Sequence, residues 1–162
     1  MPKAKDDKTN VMRLLDQRRI PYTPRTYPHQ EGVAVDGLTV AQALGLDPET
    51  VFKTLLARGA SGGIYVFVIP VGDTLDLKKA AKAVREKSVE MVHVKEIFAL
   101  SGYIRGGCSP VGMKKPYPTV FHETAGIVDA ITVSAGKIGY QVTLSPAELM
   151  ALVEGSEADL VV

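Results

Sequence analysis

One cysteine, no tryptophan and an aromatic content of only 6% set the limits of this chain. A lone Cys108 excludes an intrachain disulfide and a cysteine-based zinc cluster. Nineteen Lys and Arg face 18 Asp and Glu, a formal net charge of +1. That balance excludes a whole-protein electrostatic field, so any contact with nucleic acid has to be local. No apolar run approaches the ~18 residues that span a bilayer, and no membrane role is expected. The lysine-rich start is followed by no hydrophobic segment, so it does not read as a secretory signal, and cytoplasmic residence is expected. His29, His93 and His122 show no metal-ligand spacing. His122-Glu123 lacks the second histidine of a zincin motif, and no nucleophile elbow is present. Neither a metal nor a cofactor is expected.

What remains is a chain of 162 residues, 46% hydrophobic and 23% charged. That is enough for one domain with a sizeable core. No internal repeat or linker divides it, so a single domain over 1–162 is expected, with residues 1–9 as a flexible tail. Asn10 can cap a helix over residues 11–19, ended by Pro21. Residues 24–29 read as extended. Thr39 can cap a short helix, 40–44, closed by Gly45. Residues 51–57 and 64–70 read as strands joined by the glycine-rich stretch 58–63. A helix with a basic side follows at 77–84, and a shorter one at 95–100. Residues 119–121, 130–134 and 140–144 read as strands. Ser145-Pro146-Ala147-Glu148 is a capping box with proline in the first turn, opening a helix through residue 153. Residues 158–162 form a terminal strand or tail. The βαβ repetition of a doubly wound fold is missing. The expected class is α+β with one mixed sheet.

Chemistry concentrates at Tyr103-Ile104-Arg105-Gly106-Gly107-Cys108-Ser109-Pro110-Val111-Gly112-Met113-Lys114-Lys115. Paired glycines let a backbone turn sharply and approach a ligand. The N–H groups that such a turn exposes can cradle an anion or an oxyanion. Most glycine pairs in loops are turns with no ligand, and the spacing here is neither a P-loop nor a dinucleotide fingerprint. Cys108 is a nucleophile in principle or a small residue in a tight loop. Lys53 interrupts an apolar strand, either as a gatekeeper at a sheet edge or as a cation reaching into a cleft. Lys78, Lys79 and Lys82, and the pair Lys114-Lys115, are solvated faces or local phosphate-tracking surfaces.

These pieces together resemble one family. Thr26-Tyr27-Pro28-His29, Val51-Phe52-Lys53-Thr54-Leu55, Leu75-Asp76-Leu77-Lys78-Lys79, the glycine loop, Val133-Ser134-Ala135-Gly136-Lys137 and Leu144-Ser145-Pro146-Ala147-Glu148-Leu149 are similar to the YbaK/EbsC family of free-standing aminoacyl-tRNA deacylases. That family is related to the editing domain inserted in bacterial prolyl-tRNA synthetases. The resemblance covers about residues 10–160, and the wording is closer to the EbsC branch. It implies a compact fold with a barrel-like central sheet flanked by helices. It also implies trans-editing: removal of mischarged cysteine from tRNA(Pro), with prolyl-tRNA synthetase as a possible partner. A binding pocket has little energy with which to separate side chains as close in size as proline and cysteine, so a second sieve is needed.

By the same resemblance, Lys53 is the functional lysine that meets the terminal adenosine or its phosphate. Gly106 and Gly107 line the acyl site as oxyanion donors. Tyr27 and Ser134 are pocket residues, and Ser109 is a pocket neighbour. Lys78, Lys79, Lys114, Lys115 and Lys137 are the expected tRNA contacts. Attack by the substrate's own thiol, leaving as a thiolactone, explains why no protein nucleophile stands out. The turn Gly136-Lys137-Ile138-Gly139 departs from the family's Gly-Lys-Arg-Gly, Gln141 stands where an acidic residue is common, and Asp36 falls in a region that is apolar in some relatives. The alternatives are deacylation of another small amino acid, alanine or serine, and a non-catalytic module binding a nucleotide or a tRNA 3′ end. The sequence does not give the oligomeric state.

Overall fold

The computed structural model describes residues 8–162. Of the expected tail, residues 1–7 lie outside the described part. Thr9 belongs to the fold: its side chain, not that of Asn10, accepts from the Met12 N–H and caps α1, Asn10–Gln17. The chain continues through β1 (Tyr22–Thr26), α2 (Gly37–Leu44), β2 (Phe52–Gly59), β3 (Ile64–Pro70), α3 (Leu77–Ala83), β4 (Val89–Met91) and α4 (Val94–Ser101). It closes with β5 (Thr119–His122), β6 (Ile131–Lys137), β7 (Tyr140–Leu144), α5 (Pro146–Val153) and β8 (Ser156–Ala158). No helix among the described residues is long and apolar enough to cross a membrane.

The class is α+β, but the strands form two sheets instead of one. One has the order β1-β7-β6, the other β4-β2-β3-β5-β8. Among the described residues they meet at a single bridge, between Val51 and Thr132, and no barrel closes. The larger sheet is mixed, because β3 pairs parallel to β5 and β5 parallel to β8. Alternation sets the layers. Phe52 and Leu56 of β2, Val66 and Val68 of β3, and Phe121 of β5 face a core shared with Val11 and Leu15 of α1 and with Leu149 of α5. Ala57, Phe67, Ile69 and Val120 face the opposite side, where Ala80 and Ala81 of α3 cover them.

The hairpin β6–β7 positions the site. In Ile131-Thr132-Val133-Ser134-Ala135 every second side chain carries a hydroxyl, and all five residues are buried. Ile131, Val133 and Ala135 enter the main core with Val142 and Leu144. Thr132 and Ser134 therefore turn to the other face, opposite Thr143 and Gln141 in register. A buried strand face of hydroxyls and an amide must find polar partners or line a cavity. Thr132 and Thr143 satisfy each other, Oγ1 to Oγ1 at 2.7 Å. Ser134 and Gln141 border a cavity.

The departures from the family pattern have local causes. Asp36 is the N-cap of α2, accepting from the Thr39 N–H and hydroxyl. These bonds hold its carboxyl below the usual range, and Thr39, the expected cap, lies inside the helix. Ile138 is buried and packs behind the glycine loop: a Cβ on Gly107 would lie 3.2 Å from the Ile138 nitrogen.

Candidate functional site

β4 pairs with β2 only at Ala57, Arg58 and Gly59. The last link on that edge is the Val92 N–H donating to the Leu56 carbonyl at 3.1 Å. Alternate residues of a strand point their N–H and C=O to the same edge, so those of Thr54 point there too, past the end of β4. The edge is picked up again by β6 only at the Val51 bridge. Between these closures the edge of β2 stays open, and a cavity of about 390 Å³ fills the gap. Its walls are Val51 and residues 52–56 of β2, Tyr27 after β1, Val35, Gly37 and Val40 before and in α2, Met91, Val92, Val94 and Ile97 around the start of α4, Arg105, Gly106 and Cys108 of the glycine loop, and Ser134 and Gln141 of the hairpin.

Tyr27, Lys53, Gly106 and Ser134, which the sequence nominates from four separate segments, line this one cavity. Lys53 lies on the stretch of β2 whose one edge is open, opposite Ile69 of β3 on the other; its Nζ lies 3.4 Å from the Val71 carbonyl, and it lines the cavity in that gap. Burial pushes the ammonium below its ordinary pKa, against the opposing pull of Asp73. Ser134 Oγ accepts from the Gly136 N–H at 3.1 Å, which leaves its own proton to donate into the cavity.

The two glycines part company. Gly106 sits at φ +88°, where a side chain would be strained, and a Cβ there would meet the Ala34 Cβ at 2.8 Å. Its N–H makes no hydrogen bond among the described residues. The Gly107 N–H donates to the Ile104 carbonyl at 2.9 Å and closes the turn. The expected pair of oxyanion donors, Gly106 and Gly107, is corrected at Gly107, whose N–H is spent on closing the turn that exposes Gly106. Ser109 is corrected as well. It is fully buried outside the cavity, and its Oγ accepts from the Val111 N–H at 3.2 Å. Tyr103 holds this loop down, its hydroxyl donating to the Val111 carbonyl and its ring packed where Gly136 leaves no side chain.

Cys108 does line the cavity, but burial raises its thiol pKa to about 11, with a hydrogen bond to Ser101 pulling the other way. At neutral pH it stays a thiol, and the thiolate is the nucleophile.

Two further cavity residues were not nominated as site residues. The Thr54 hydroxyl and the Gln141 side-chain oxygen are buried without a hydrogen-bond partner. A buried polar atom left unpaired costs about 1–3 kcal/mol, and among the described residues neither oxygen has a partner. A sequence signal existed for each: a hydroxyl inside an apolar strand, and an amide at the inward phase of β7.

The expected cationic contacts divide. Lys137 stands 5.3 Å from the Tyr140 ring centroid, beside the glycine loop. Lys114 stands 6.0 Å from the Phe98 centroid on α4, and Lys115 next to it is exposed. Lys79 is tied to Asp159 at 2.9 Å and to the Val161 carbonyl at 2.7 Å, fixing the C-terminal segment against α3. Lys78 lines a separate groove on α3 with Lys82 and Lys87. The α3 lysines are therefore not assembled with the cavity.

Away from the cavity, one ligand atom each from His122, Glu123 and Asp159 gathers within 4.8 Å. His122 Nδ1 accepts from the Leu160 N–H and Asp159 holds Lys79, so both already serve the packing of the C-terminus.

The assembled cavity is concave, apolar in most of its walls and fitted with convergent polar groups, at the small end of the range of about 300–1,000 Å³ for ligand sites. It suits a small, mostly apolar ligand that carries a few polar groups. Known proteins agree in kind. The model of the aminoacyl-tRNA editing domain matches residues 35–152. EbsC of Enterococcus faecalis, named as a candidate Cys-tRNA(Pro)/Cys-tRNA(Cys) deacylase, is 44% identical over 158 residues, 98% of this chain and 96% of that protein. A crystal structure described as a candidate trans-editing enzyme for prolyl-tRNA synthetase superposes with a TM-score of 0.80 at 25% identity, covering 100% of this chain and 98% of that one. The hypothetical protein APE2540 shares the fold at a TM-score of 0.82 and 21% identity, over 94% of this chain and 99% of its own. This chain belongs to the aminoacyl-tRNA editing domain family.

Proposed function

We propose that this protein is a trans-editing deacylase that removes mischarged cysteine from tRNA(Pro). The observation that carries this is the cavity itself: the Gly106 N–H, which no described residue accepts, a half-buried ammonium at Lys53, and oxygens of Thr54 and Gln141 without a partner among the described residues, around a small apolar pocket. In this reading the terminal ester enters with its carbonyl oxygen at the Gly106 N–H. Lys53 meets the negative charge of the terminal nucleotide. Gln141 accepts from the amino acid's α-ammonium, and Ser134 donates to the ester.

In this reading the nucleophile is the substrate's own sulfur, and the Cys108 thiol takes no part. The cysteinyl thiol attacks its carbonyl, a C–S bond forms, and the ester C–O bond to the ribose breaks. The thiol proton ends on the ribose oxygen, and water later opens the thiolactone to cysteine. Holding sulfur and carbonyl together supplies proximity, and the Gly106 N–H stabilises the oxyanion.

A deacylation panel tests this. Purified protein should release cysteine from Cys-tRNA(Pro) at least tenfold faster than alanine from Ala-tRNA(Pro) or serine from a serylated tRNA. Cys108→Ser should retain turnover within about threefold, because the protein thiol takes no part in bond-making. Faster release of alanine or serine would reassign the substrate. Binding of an aminoacyl-adenosine amide without turnover of any ester would make the protein a non-catalytic module. Pull-down with prolyl-tRNA synthetase tests delivery separately.

A further inference from the structure

A terminal ester in the cavity brings its preceding unpaired nucleotides across the rim, and the rim is not uniform. Met91 and Val94 line the cavity yet remain 42% and 56% exposed, and beyond them Phe98 and Ile104 are 59% and 47% exposed. Val94 and Phe98 are four residues apart on α4 and so share a face. One helical turn from the cavity, a phenylalanine ring thus lies open to solvent.

The Lys114 ammonium stands 6.0 Å from that ring's centroid. It donates to the Ala99 carbonyl at 3.2 Å, which fixes it with one of its three N–H groups and leaves two. Among the described residues Phe98 stacks on no other ring. With Lys114 over one side of the ring and the side chain still 59% exposed, Phe98 offers what a single-stranded nucleotide needs: a surface for the base and a charge for the phosphate.

The other side of the mouth also carries aromatics, but they are committed to each other. His29 lies between Tyr27 and Tyr140 in edge-on contacts, centroids 6.1 and 5.8 Å apart, with its Nδ1 hydrogen-bonded to the Tyr27 carbonyl at 2.8 Å.

We propose that the nucleotides preceding the terminal adenosine leave the cavity over α4, one base stacked on Phe98 and its phosphate at Lys114. This rests on the aminoacyl-ester reading of the cavity. Stacking on a carbon ring is indifferent to base identity, so the platform supplies affinity without reading sequence.

The test compares Cys-tRNA(Pro) with 3′-O-cysteinyl-adenosine, which lacks the preceding nucleotides. Phe98→Ala should lower kcat/KM on the tRNA about tenfold or more, chiefly through KM, with the loss confined to the tRNA substrate. Phe98→Trp should restore it. Lys114→Ala should weaken tRNA binding and reduce the slope of log affinity against log salt by about 0.7. Equal losses on both substrates, no loss on either, or a loss in Tyr140→Ala with none in Phe98→Ala would overturn the platform while leaving the deacylase reading intact. So would a dimer that Phe98→Ala dissociates without changing tRNA turnover. Wild-type protein that cleaves neither substrate would overturn the deacylase reading, and this inference with it.

Discussion

Replacing Lys53 by alanine is expected to lower kcat/KM for Cys-tRNA(Pro) by two orders of magnitude or more. Lys53 is the only lysine among the cavity-lining residues, and it stands in a wall where burial already depresses its pKa. Removing one partner of a desolvated, hydrogen-bonded charge pair costs about 2–5 kcal/mol, and each 1.36 kcal/mol is a factor of ten in rate. Lys53→Arg should recover only part of the loss, since a planar fork cannot replace a compact ammonium beside Val71.

The pH dependence has a definite sign. A lysine with a lowered pKa loses its proton at a lower pH than an ordinary lysine, so affinity for the anionic substrate falls as pH rises through that lowered value. Binding of a non-hydrolysable 3′-amide, measured across alkaline pH, should weaken earlier in the wild type than in Lys53→Arg. The free protein should respond in the opposite direction to the enzyme. Lys53→Met relieves a half-buried charge, so melting temperature should rise as activity disappears. A Lys53→Ala variant that deacylates normally would remove the lysine from the site.

Gly106→Ala is expected to abolish turnover almost as completely, for a different reason. At φ +88° an alanine is strained, and its Cβ would press on the Ala34 Cβ at 2.8 Å. A non-glycine residue held in such a region costs about 1–3 kcal/mol. At roughly 2–4 °C per kcal/mol for a chain of this size, melting should fall by several degrees. Relieving the clash moves the glycine loop and Ala34 apart, which shifts the Gly106 N–H off the carbonyl. Loss of an oxyanion donor costs about 10²–10³ in kcat. The measurement is kcat at saturating substrate beside a melting curve: a folded variant with normal kcat would exclude Gly106 as the donor.

Much of the framework was legible from local chemistry. The runs Ile64–Pro70 and Tyr140–Leu144 read directly as strands and are β3 and β7. Ser145 and Pro146 announced α5, whose cap is the Ser145 hydroxyl accepting from the Glu148 N–H. Strand β4 was not legible, because three residues between a helix and a loop carry no periodicity, and only the edge of β2 makes them a strand. The parallel pairing of β3 with β5 is set by the path of the chain across some fifty residues, which no local pattern encodes. The same division holds at the site. Residue types nominated Lys53, Tyr27, Ser134 and Gly106, but which glycine N–H is free depends on the Ile104 carbonyl. Ser109 had the right chemistry and the wrong side of the loop. Thr54 and Gln141 declared themselves only through what they fail to touch.

The lone bridge between Val51 and Thr132 has a consequence for how selectivity evolves. The walls of the cavity belong to two sheets, with Lys53 and Thr54 on one and Ser134 and Gln141 on the other. Their separation is a fold dimension, adjustable from behind by the bulk of Val133 in the main core without touching a ligand-facing residue. A substitution behind the walls is therefore expected to shift the preferred amino acid while the lysine, glycine and serine of the lining stay in place.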